Sequence, residues 1–338
     1  MIRAAAQAHL NALAKPPGSL GRLEALALDL AVARGRVLGP LRAPQILVFA
    51  ADHGVAREEA VSPYPSAVTA LMVRTFAADK AAVCLLARNA GAALEVIDVG
   101  VASPLRDLPT AILVRHARVA EGTANLARGP AMRPEERDAA LAVGRAAADR
   151  AAAAGVDLLL PGEMGIGNTT AAAALAARLL GLPAAALVGP GTGLDAAGLA
   201  HKVSVVQRAL DRQGPHDPLG ALADLGGLEI AALTGLLQGA HAHQIPVLLD
   251  GFIVSAAALV AQRLDPSLSV RLIPATRSAE PGHAAILDAL GLPPPLLDWG
   301  LRLGEASAAA LALPLVRAAA ALLDPDGGMA TLEQVLAG

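Results

Sequence analysis

Two glutamates that are far apart in the sequence are the residues that could do acid–base chemistry. Glu163 lies in the glycine-rich stretch Pro161-Gly162-Glu163-Met164-Gly165-Ile166-Gly167-Asn168-Thr169-Thr170, and Glu305 lies in Arg302-Leu303-Gly304-Glu305. An apolar, strand-like run precedes the first stretch and an alanine-rich helical pattern follows it, with Glu163 expected inside the turn. Such a strand-to-helix turn presents backbone N–H groups and a positive helix end to an anion. Two carboxylates near a bound nucleotide would suggest acid–base chemistry.

The residues around Glu163 favour a ligand that approaches the backbone closely. Gly165 and Gly167 allow such an approach, and Asn168 or Thr169 could cap the following helix. A tight turn without a ligand is the alternative interpretation. The stretch lacks the Gly-Lys-Ser/Thr of a P-loop, and its glycine spacing differs from the dinucleotide-binding fingerprint. The sequence therefore supports neither an NTPase nor a dehydrogenase.

A second glycine-rich turn, Val188-Gly189-Pro190-Gly191-Thr192-Gly193-Leu194-Asp195, precedes a helical pattern that carries Lys202. Its backbone amides and the nearby ammonium could hold a phosphate. An ordinary loop with a solvated lysine is the alternative.

Glu305 precedes an apolar helical pattern, where a carboxylate favours the positive end of the helix dipole. A capping glutamate is therefore one interpretation of this residue. If Glu305 instead faces the sheet, apolar surroundings would raise its pKa and make it a useful proton acceptor. The polar segment Arg277-Ser278-Ala279-Glu280-Pro281-Gly282-His283 is either a binding loop or a solvated turn.

Metal and nucleophile chemistry receive little support from the sequence. Asp52-His53-Gly54 lacks partner histidines at ligand spacing, since His241 and His243 would point apart on a helix. No Gly-x-Ser-x-Gly motif is present, and the single cysteine, Cys84, lies in an apolar run. We therefore expect no metal site and no cofactor.

The composition of the 338-residue chain excludes several classes of protein. The net charge is −3, and the chain has one Trp, one Tyr and three Phe, so neither a basic surface nor a stacking platform for nucleic acid is expected. A single cysteine excludes internal disulfides, no secretion signal is apparent, and the apolar stretches are too short or too interrupted to span a membrane. We expect a cytoplasmic protein and, because 54% of its residues are hydrophobic, a homodimer.

Short apolar runs alternate with alanine-rich helical patterns along most of the chain. This alternation predicts an α/β fold, a doubly wound and mainly parallel sheet with helices on both faces. In such sheets ligands bind beyond the carboxyl ends of the strands. The predicted strands are 45–50, 93–99, 111–114, 156–160, 246–249 and 269–273. We expect a large α/β domain over residues 31–284 and a small helical domain formed by 1–30 together with 285–338.

These segments together resemble the nicotinate-nucleotide:dimethylbenzimidazole phosphoribosyltransferase family over nearly the whole chain. Besides the two glycine-rich turns, the matching motifs are Lys15-Pro16-Pro17-Gly18-Ser19-Leu20-Gly21, Asp52-His53-Gly54-Val55, Gly122-Thr123-Ala124-Asn125, Leu225-Gly226-Gly227-Leu228-Glu229-Ile230-Ala231-Ala232, Leu249-Asp250-Gly251-Phe252, Arg277-Ser278-Ala279-Glu280-Pro281-Gly282-His283 and Arg302-Leu303-Gly304-Glu305.

The resemblance implies a Rossmann-like large domain, a helical small domain, a homodimer and roles for particular residues. Glu305 would be the general base. We further expect Glu163 to be catalytic, because an oxocarbenium-like transition state would gain from a nearby carboxylate. The loop from Glu163 to Gly167 would receive the nicotinate carboxylate, and Lys202 would serve the phosphate. The substrate-binding residues expected on this basis are Gly165, Ile166, Gly167, Asn168, Gly191, Thr192, Gly193, Lys202, Ser62, Asp250, Arg277, Ser278 and Leu303.

The implied reaction moves the 5-phosphoribosyl group from nicotinate mononucleotide to 5,6-dimethylbenzimidazole or a similar base, and gives α-ribazole 5′-phosphate for cobalamin biosynthesis. The segment from Val61 to Met72 would lie near the base, and Ser66 stands where the family frequently has glutamine, so the accepted base stays open. A nucleotide-sensing protein without turnover, or a related transferase acting on another azole or a purine, are the alternatives.

Overall fold

Six parallel strands form the centre of the computed structural model, which describes residues 1–37, 39–325 and 328–337. The strands are β1 (Pro44–Ala51), β2 (Ala93–Gly100), β3 (Leu113–His116), β4 (Leu158–Met164), β5 (Val247–Leu249) and β6 (Leu272–Pro274). Their order in the sheet is β3-β2-β1-β4-β5-β6. The strand order reverses between β1 and β4, as in doubly wound folds that bind nucleotides at this point. The predicted α/β fold is confirmed.

The helices that connect and flank the strands are α1 (Ile2–Ala12), α2 (Arg22–Arg34), α3 (Gly54–Glu58), α4 (Val68–Ala77), α5 (Ala82–Ala90), α6 (Pro134–Ala153), α7 (Asn168–Leu180), α8 (Ala184–Leu187), α9 (Ala196–Asp211), α10 (Pro218–Leu225), α11 (Leu228–Ala242), α12 (Phe252–Leu264), α13 (Gly282–Leu290), α14 (Ser307–Ala321) and α15 (Leu332–Ala337). A 3-10 helix covers Pro266–Arg271. No helix in the described ranges is long and apolar enough to cross a membrane.

Each of the six predicted strands is present, but several boundaries differ. The third strand, predicted at 111–114, is observed at Leu113–His116. The fourth strand extends beyond Leu160, because Gly162, Glu163 and Met164 continue the ladder opposite residues 48–50 of β1. Glu163 therefore lies on the end of β4, and its expected position inside the turn was wrong. The last predicted strand starts too early, because Asp265 caps the 3-10 helix by accepting a hydrogen bond from Ser267 N.

Helices cover both faces of the sheet, so its strands are apolar on both sides. Residues 47, 49 and 51 of β1 belong to a cluster with α6, α7, α11 and α12, whereas residues 46, 48 and 50 belong to one with α1, α2, α4, α5 and α14. This is the alternation that a strand imposes on its side chains. The helices of both chain ends thus pack together on one face, and the proposed division into a large and a small domain stays a prediction.

The closest helix packing is between α6 and α11, where glycines replace side chains. A Cβ at Gly144 would lie 1.8 Å from Ala232 O, and a Cβ at Gly235 would lie 2.0 Å from Leu141 O. These distances leave no room for a methyl group. The two backbones are therefore in contact, and α11 in turn packs against β1, β2 and β4.

We expect Gly144→Ala to destabilise the fold by about 1–3 kcal/mol, because the added methyl forces α6 away from α11. Urea unfolding followed by circular dichroism measures this change. Gly129→Ala is the matched control, since a Cβ at Gly129 meets nothing within 4 Å. Equal unfolding midpoints for the two variants would contradict the packing described here.

Candidate active site

A cavity of about 500 Å³ lies at the carboxyl ends of β4, β5 and β6. Its walls come from the turn after β4, the start of α12, the segment after β6, residues 301–305 and the start of α14. The cavity sits beside the reversal of strand order, where open α/β sheets bind their ligands. It is large enough for a small-molecule ligand.

Glu163 occupies the inner wall of this cavity. Its side chain is buried, and Asn168 Nδ2 donates a hydrogen bond to Glu163 Oε2. Asn168 is the first residue of α7 and Gly167 is the N-cap, so the capping role expected of Asn168 or Thr169 was wrong. Burial raises the pKa of Glu163 well above its usual range, and Asp250, Glu229 and Glu305 add to this shift. The protonated form of Glu163 is favoured, and it can donate a hydrogen bond.

Glu305 reaches the cavity on an unusual backbone. Gly304, Glu305 and Ala306 have φ values of 80°, 62° and 63°, and the left-handed region costs a non-glycine residue about 1–2 kcal/mol. The turn rests directly on β4, because a Cβ at Gly162 would lie 2.4 Å from Ala306 N and 2.6 Å from Glu305 C. Because Gly162 has no side chain, the turn at Glu305 can pack against the strand at this position.

The side chain of Glu305 is not a helix cap. α14 starts at Ser307 with Ala306 as the N-cap. Glu305 is only 4% exposed, and its Oε2 atom has no hydrogen-bond partner among the described residues. The geometry therefore places Glu305 in the cavity wall, which is the second of the two interpretations that the sequence left open.

Asp250 completes a group of three buried carboxyls with Glu163 and Glu305. Ala309 N donates to Asp250 Oδ1 at 3.0 Å, which ties Asp250 to the first turn of α14. Burial raises the pKa of Asp250 to about 6, although hydrogen bonds from backbone N–H groups oppose this shift. Burial and the nearby charge of Asp250 raise the pKa of Glu305 to about 7. The group can therefore accept a proton near neutral pH.

The glycine turn between Gly189 and Gly193 forms the opposite wall and is held from several sides. Gly191 N donates to Glu280 Oε1 at 2.9 Å, and Arg302 Nη1 donates to Gly191 O at 2.8 Å. Lys202 Nζ donates to Thr169 Oγ1 at 2.7 Å and to Gly189 O at 3.0 Å. Burial lowers the pKa of Lys202 to about 8.

An apolar region lies between the turn after β4 and helix α4. Val68, Met72, Leu86, Ile166 and Leu311 line it. These side chains offer no polar group to a ligand, so this region suits an aromatic ring with apolar substituents.

The structure brings most of the predicted site residues together. The cavity is lined by Glu163, Gly165, Ile166, Asn168, Gly191, Thr192, Asp250, Ser278, Leu303 and Glu305. The other predicted residues lie outside its lining. Lys202 and Gly193 belong to the glycine turn and its support, and Ser62 contacts Thr192 through their hydroxyls at 3.3 Å. Gly167 packs against Ala56 and His53, and the half-exposed Arg277 pairs with Asp298 at 3.2 Å.

Sequence reasoning missed the carboxylate and the guanidinium that hold the glycine turn. Glu280 and Arg302 each occur in a motif that the sequence singled out, but their partner Gly191 is 89 and 111 positions away. A buried pair between His53 Nε2 and Glu229 Oε1, 2.7 Å apart, was also missed and lies behind the turn after β4. No local spacing could have indicated these contacts.

Comparison with known proteins agrees with this geometry. A family model described as phosphoribosyltransferase matches residues 1–335. The nicotinate-nucleotide--dimethylbenzimidazole phosphoribosyltransferase of Azotobacter vinelandii is 55% identical over 324 residues, which cover 95% of this chain and 90% of that protein. The protein of the same name from Pseudomonas aeruginosa strain PAO1 is 52% identical over 335 residues, covering 98% and 93%.

The crystal structure of CobT from Thermus thermophilus is similar with a TM-score of 0.92 and 48% sequence identity, covering 99% of this chain and 98% of that chain. The fold and the matched relatives together define a phosphoribosyltransferase, an enzyme that transfers a pentosyl phosphate group. The chain belongs to the family of nicotinate-nucleotide:dimethylbenzimidazole phosphoribosyltransferases.

We expect Glu305→Gln to stabilise the folded protein at pH 8 and to have little effect at pH 4. The pKa of Glu305 is raised from 4.5 to about 7 in the folded state. Between these values the folded state binds more protons than the unfolded state, so stability falls as the pH rises through this window. Removing the carboxylate should therefore raise the free energy of unfolding at pH 8 by about 3 kcal/mol, since each pKa unit corresponds to about 1.4 kcal/mol.

Urea unfolding at pH 4, 6 and 8 measures this effect. Glu135→Gln, at an exposed position on α6, is the control for the change of residue type. If Glu305→Gln raised the free energy of unfolding equally at all three pH values, the titration of Glu305 would not be the cause.

Proposed function

We propose that this chain transfers the 5-phosphoribosyl group of nicotinate mononucleotide to 5,6-dimethylbenzimidazole or a similar base. The products would be α-ribazole 5′-phosphate and nicotinate, and the reaction would serve cobalamin biosynthesis. The names of relatives that are more than half identical support the reaction. The observation that carries the mechanism is the buried Glu305 carboxylate, whose Oε2 atom lacks a partner in the described structure.

The donor would lie between the two glycine-rich turns. Its phosphate would contact Lys202 and the turn around Gly191. The low dielectric of these buried surroundings strengthens the attraction between the ammonium and the phosphate. Its nicotinate carboxylate would lie by the turn after β4. Burial favours the protonated form of Glu163, and that form would suit this place because it can donate a hydrogen bond to an anion without repelling it.

The acceptor base would occupy the apolar region lined by Val68, Met72, Leu86 and Leu311. A benzimidazole ring with methyl substituents gains from burial there, roughly 25 cal/mol for each Å² of apolar surface. Ser66 is not among the residues that line the cavity, and its hydroxyl donates to Asp52 Oδ1 at 2.6 Å. The accepted base is thus set by apolar side chains and by the group that takes its proton.

The chemical step needs one proton acceptor and no general acid. The pyridinium nitrogen of nicotinate mononucleotide is cationic, and it keeps the electron pair of the breaking bond to C1 when it leaves as a neutral ring nitrogen. We assign to Glu305 the removal of the N–H proton of the benzimidazole. The other ring nitrogen then forms the new bond to C1 from the opposite face, which inverts the β configuration to α.

The buried carboxyls would also act on the charge that develops at C1. Asp250, with a pKa of about 6, is largely ionised at neutral pH, and its negative charge favours an oxocarbenium-like transition state. The cavity would orient the two substrates relative to each other. No step in this scheme calls for a metal ion or a cofactor.

The homodimer and the cytoplasmic location belong to the same proposal. Leu71, Leu85 and Trp299 are more than half exposed, and an interface between two subunits would cover apolar side chains of this kind. Phosphorylated substrates do not cross membranes unaided, because charged groups are costly to bury. A reaction that consumes nicotinate mononucleotide therefore belongs in the compartment that makes it.

The test is to mix the purified protein with nicotinate mononucleotide and 5,6-dimethylbenzimidazole, without added metal, and to follow both products by chromatography and mass spectrometry. We expect nicotinate and α-ribazole 5′-phosphate in equal amounts. Binding of the donor without product would support a nucleotide sensor, and product only with another azole or a purine would support the related transferase. Absence of donor binding would contradict the site itself.

Glu305→Gln measures the contribution of the general base in the same assay. We expect kcat to fall about 10²- to 10⁴-fold, because a group that contributes general-base catalysis is lost. The wild-type kcat should rise with pH through about 7, the pKa of Glu305, and this limb should be absent in the variant. Glu135→Gln should behave as wild type, and full activity of Glu305→Gln would contradict the assignment.

A further inference from the structure

Glu280 is a buried carboxylate that contacts the glycine turn but has no place in the chemistry described above. It is 4% exposed, lies between β6 and α13 and lines the cavity. One carboxylate oxygen accepts the hydrogen bond from Gly191 N at 2.9 Å. The other faces Gly189, where an added Cβ would lie 2.3 Å from it. The turn is therefore shaped around this side chain.

A negative charge beside a phosphate subsite calls for an explanation, because it opposes the binding of an anion. Lys202 supplies it. This lysine is 1% exposed, and its ammonium is held by Thr169 Oγ1 and Gly189 O, which are both uncharged. Burial of an ammonium favours its neutral form, and the negative charge of Glu280 opposes that effect. The carboxylate and the ammonium both contact the same turn, at Gly191 N and Gly189 O respectively.

We propose that Glu280 is a positioning residue for donor binding, which fixes the glycine turn through Gly191 N–H and keeps the buried Lys202 charged for the donor phosphate. The inference rests on the proposed function, since it concerns the phosphate subsite of the same cavity. Glu280 touches none of the reacting atoms in this arrangement. Its effect reaches the donor through the turn and through Lys202.

The segment that carries Glu280 is itself fixed in place. Ser278 N donates to His283 Nδ1 at 2.9 Å, and His283 Nε2 is 2.9 Å from Ser255 Oγ of α12. Since Nδ1 accepts, the ring proton is on Nε2 and is donated to Ser255. Burial, assisted by the positive charge of Arg277, lowers the pKa of His283 to about 4, so this support stays neutral near pH 7.

The groups that face Lys202 decide what a change at Glu280 does. Thr169 on α7 and the Gly189 carbonyl do not titrate. The guanidinium of Arg302 lies across the turn, where it donates to Gly191 O. Glu280 is the charged group that raises the pKa of Lys202 toward its value of about 8. Removing that charge should therefore let Lys202 lose its proton at a lower pH.

The experiment compares wild type, Glu280→Gln and Glu280→Ala by isothermal titration calorimetry with nicotinate mononucleotide, without acceptor base, from pH 6.5 to 9. Gln keeps an oxygen that can accept from Gly191 N but removes the charge. We expect its donor Kd to approach that of wild type at pH 6.5 and to be about tenfold weaker at pH 8.5, which corresponds to a shift of about one pKa unit. Ala should weaken binding at every pH, because the turn also loses its hydrogen bond.

Turnover separates positioning from catalysis. With saturating donor at pH 7, kcat of Glu280→Gln should stay within about twofold of wild type, because this residue contributes to binding and not to the transition state. Glu135→Gln is the matched control. A donor Kd with the same pH dependence as wild type, or a fall in kcat with unchanged Kd, would overturn the inference. Absence of turnover by the wild-type protein would instead reject the proposed function.

Discussion

Glu305 can enter the cavity only because strand β4 carries no side chain at Gly162. The backbone of Glu305 and Ala306 lies where the Cβ of any other residue at position 162 would be. Both residues adopt the left-handed conformation, which is unfavourable for them and must be stabilised by their surroundings. Asp250 provides part of this support by accepting a hydrogen bond from Ala309 N at the start of α14. A glycine in a central strand thus determines where the proposed base is and how deeply it is buried.

Grouping Glu163, Asp250 and Glu305 in one buried region lowers the stability of the fold at neutral pH and gives these carboxyls the properties that the proposed reaction needs. Burial raises all three pKa values, and the neighbouring carboxylates add to the shifts of Glu163 and Glu305, so each group holds its proton more tightly than in water. The protonated form of Glu163 can donate to an anion, whereas Glu305, with a pKa of about 7, can take a proton from a weakly acidic N–H group.

The sequence predicted the sheet and the identity of the two glutamates, because both depend on local pattern. Alternating strand and helix signals located all six strands, and the glycine-rich turns marked two walls of the cavity. The sequence placed Glu163 in the turn because glycine normally weakens a strand, which suggested that β4 ends before Gly162. In the structure the ladder to β1 continues through Gly162. Two contacts join segments that only the folded chain brings together. They are the hydrogen bond between Glu280 and Gly191 and the packing of Glu305 against Gly162. The small-domain boundary and the roles of the individual substrate-binding residues stay predictions.

The most direct test of this account is the kcat of Gly162→Ala with nicotinate mononucleotide and 5,6-dimethylbenzimidazole, measured beside its donor affinity. The added methyl group should push the turn at Glu305 away from β4 while the glycine turn that would receive the phosphate is unchanged. We expect donor binding to be retained and kcat to fall about 10²-fold, the cost of misplacing a catalytic group by about 1 Å. Gly129→Ala, which meets open space, should retain wild-type kcat. A Gly162→Ala protein with wild-type kcat would show that the close approach of β4 to Glu305 does not position the base.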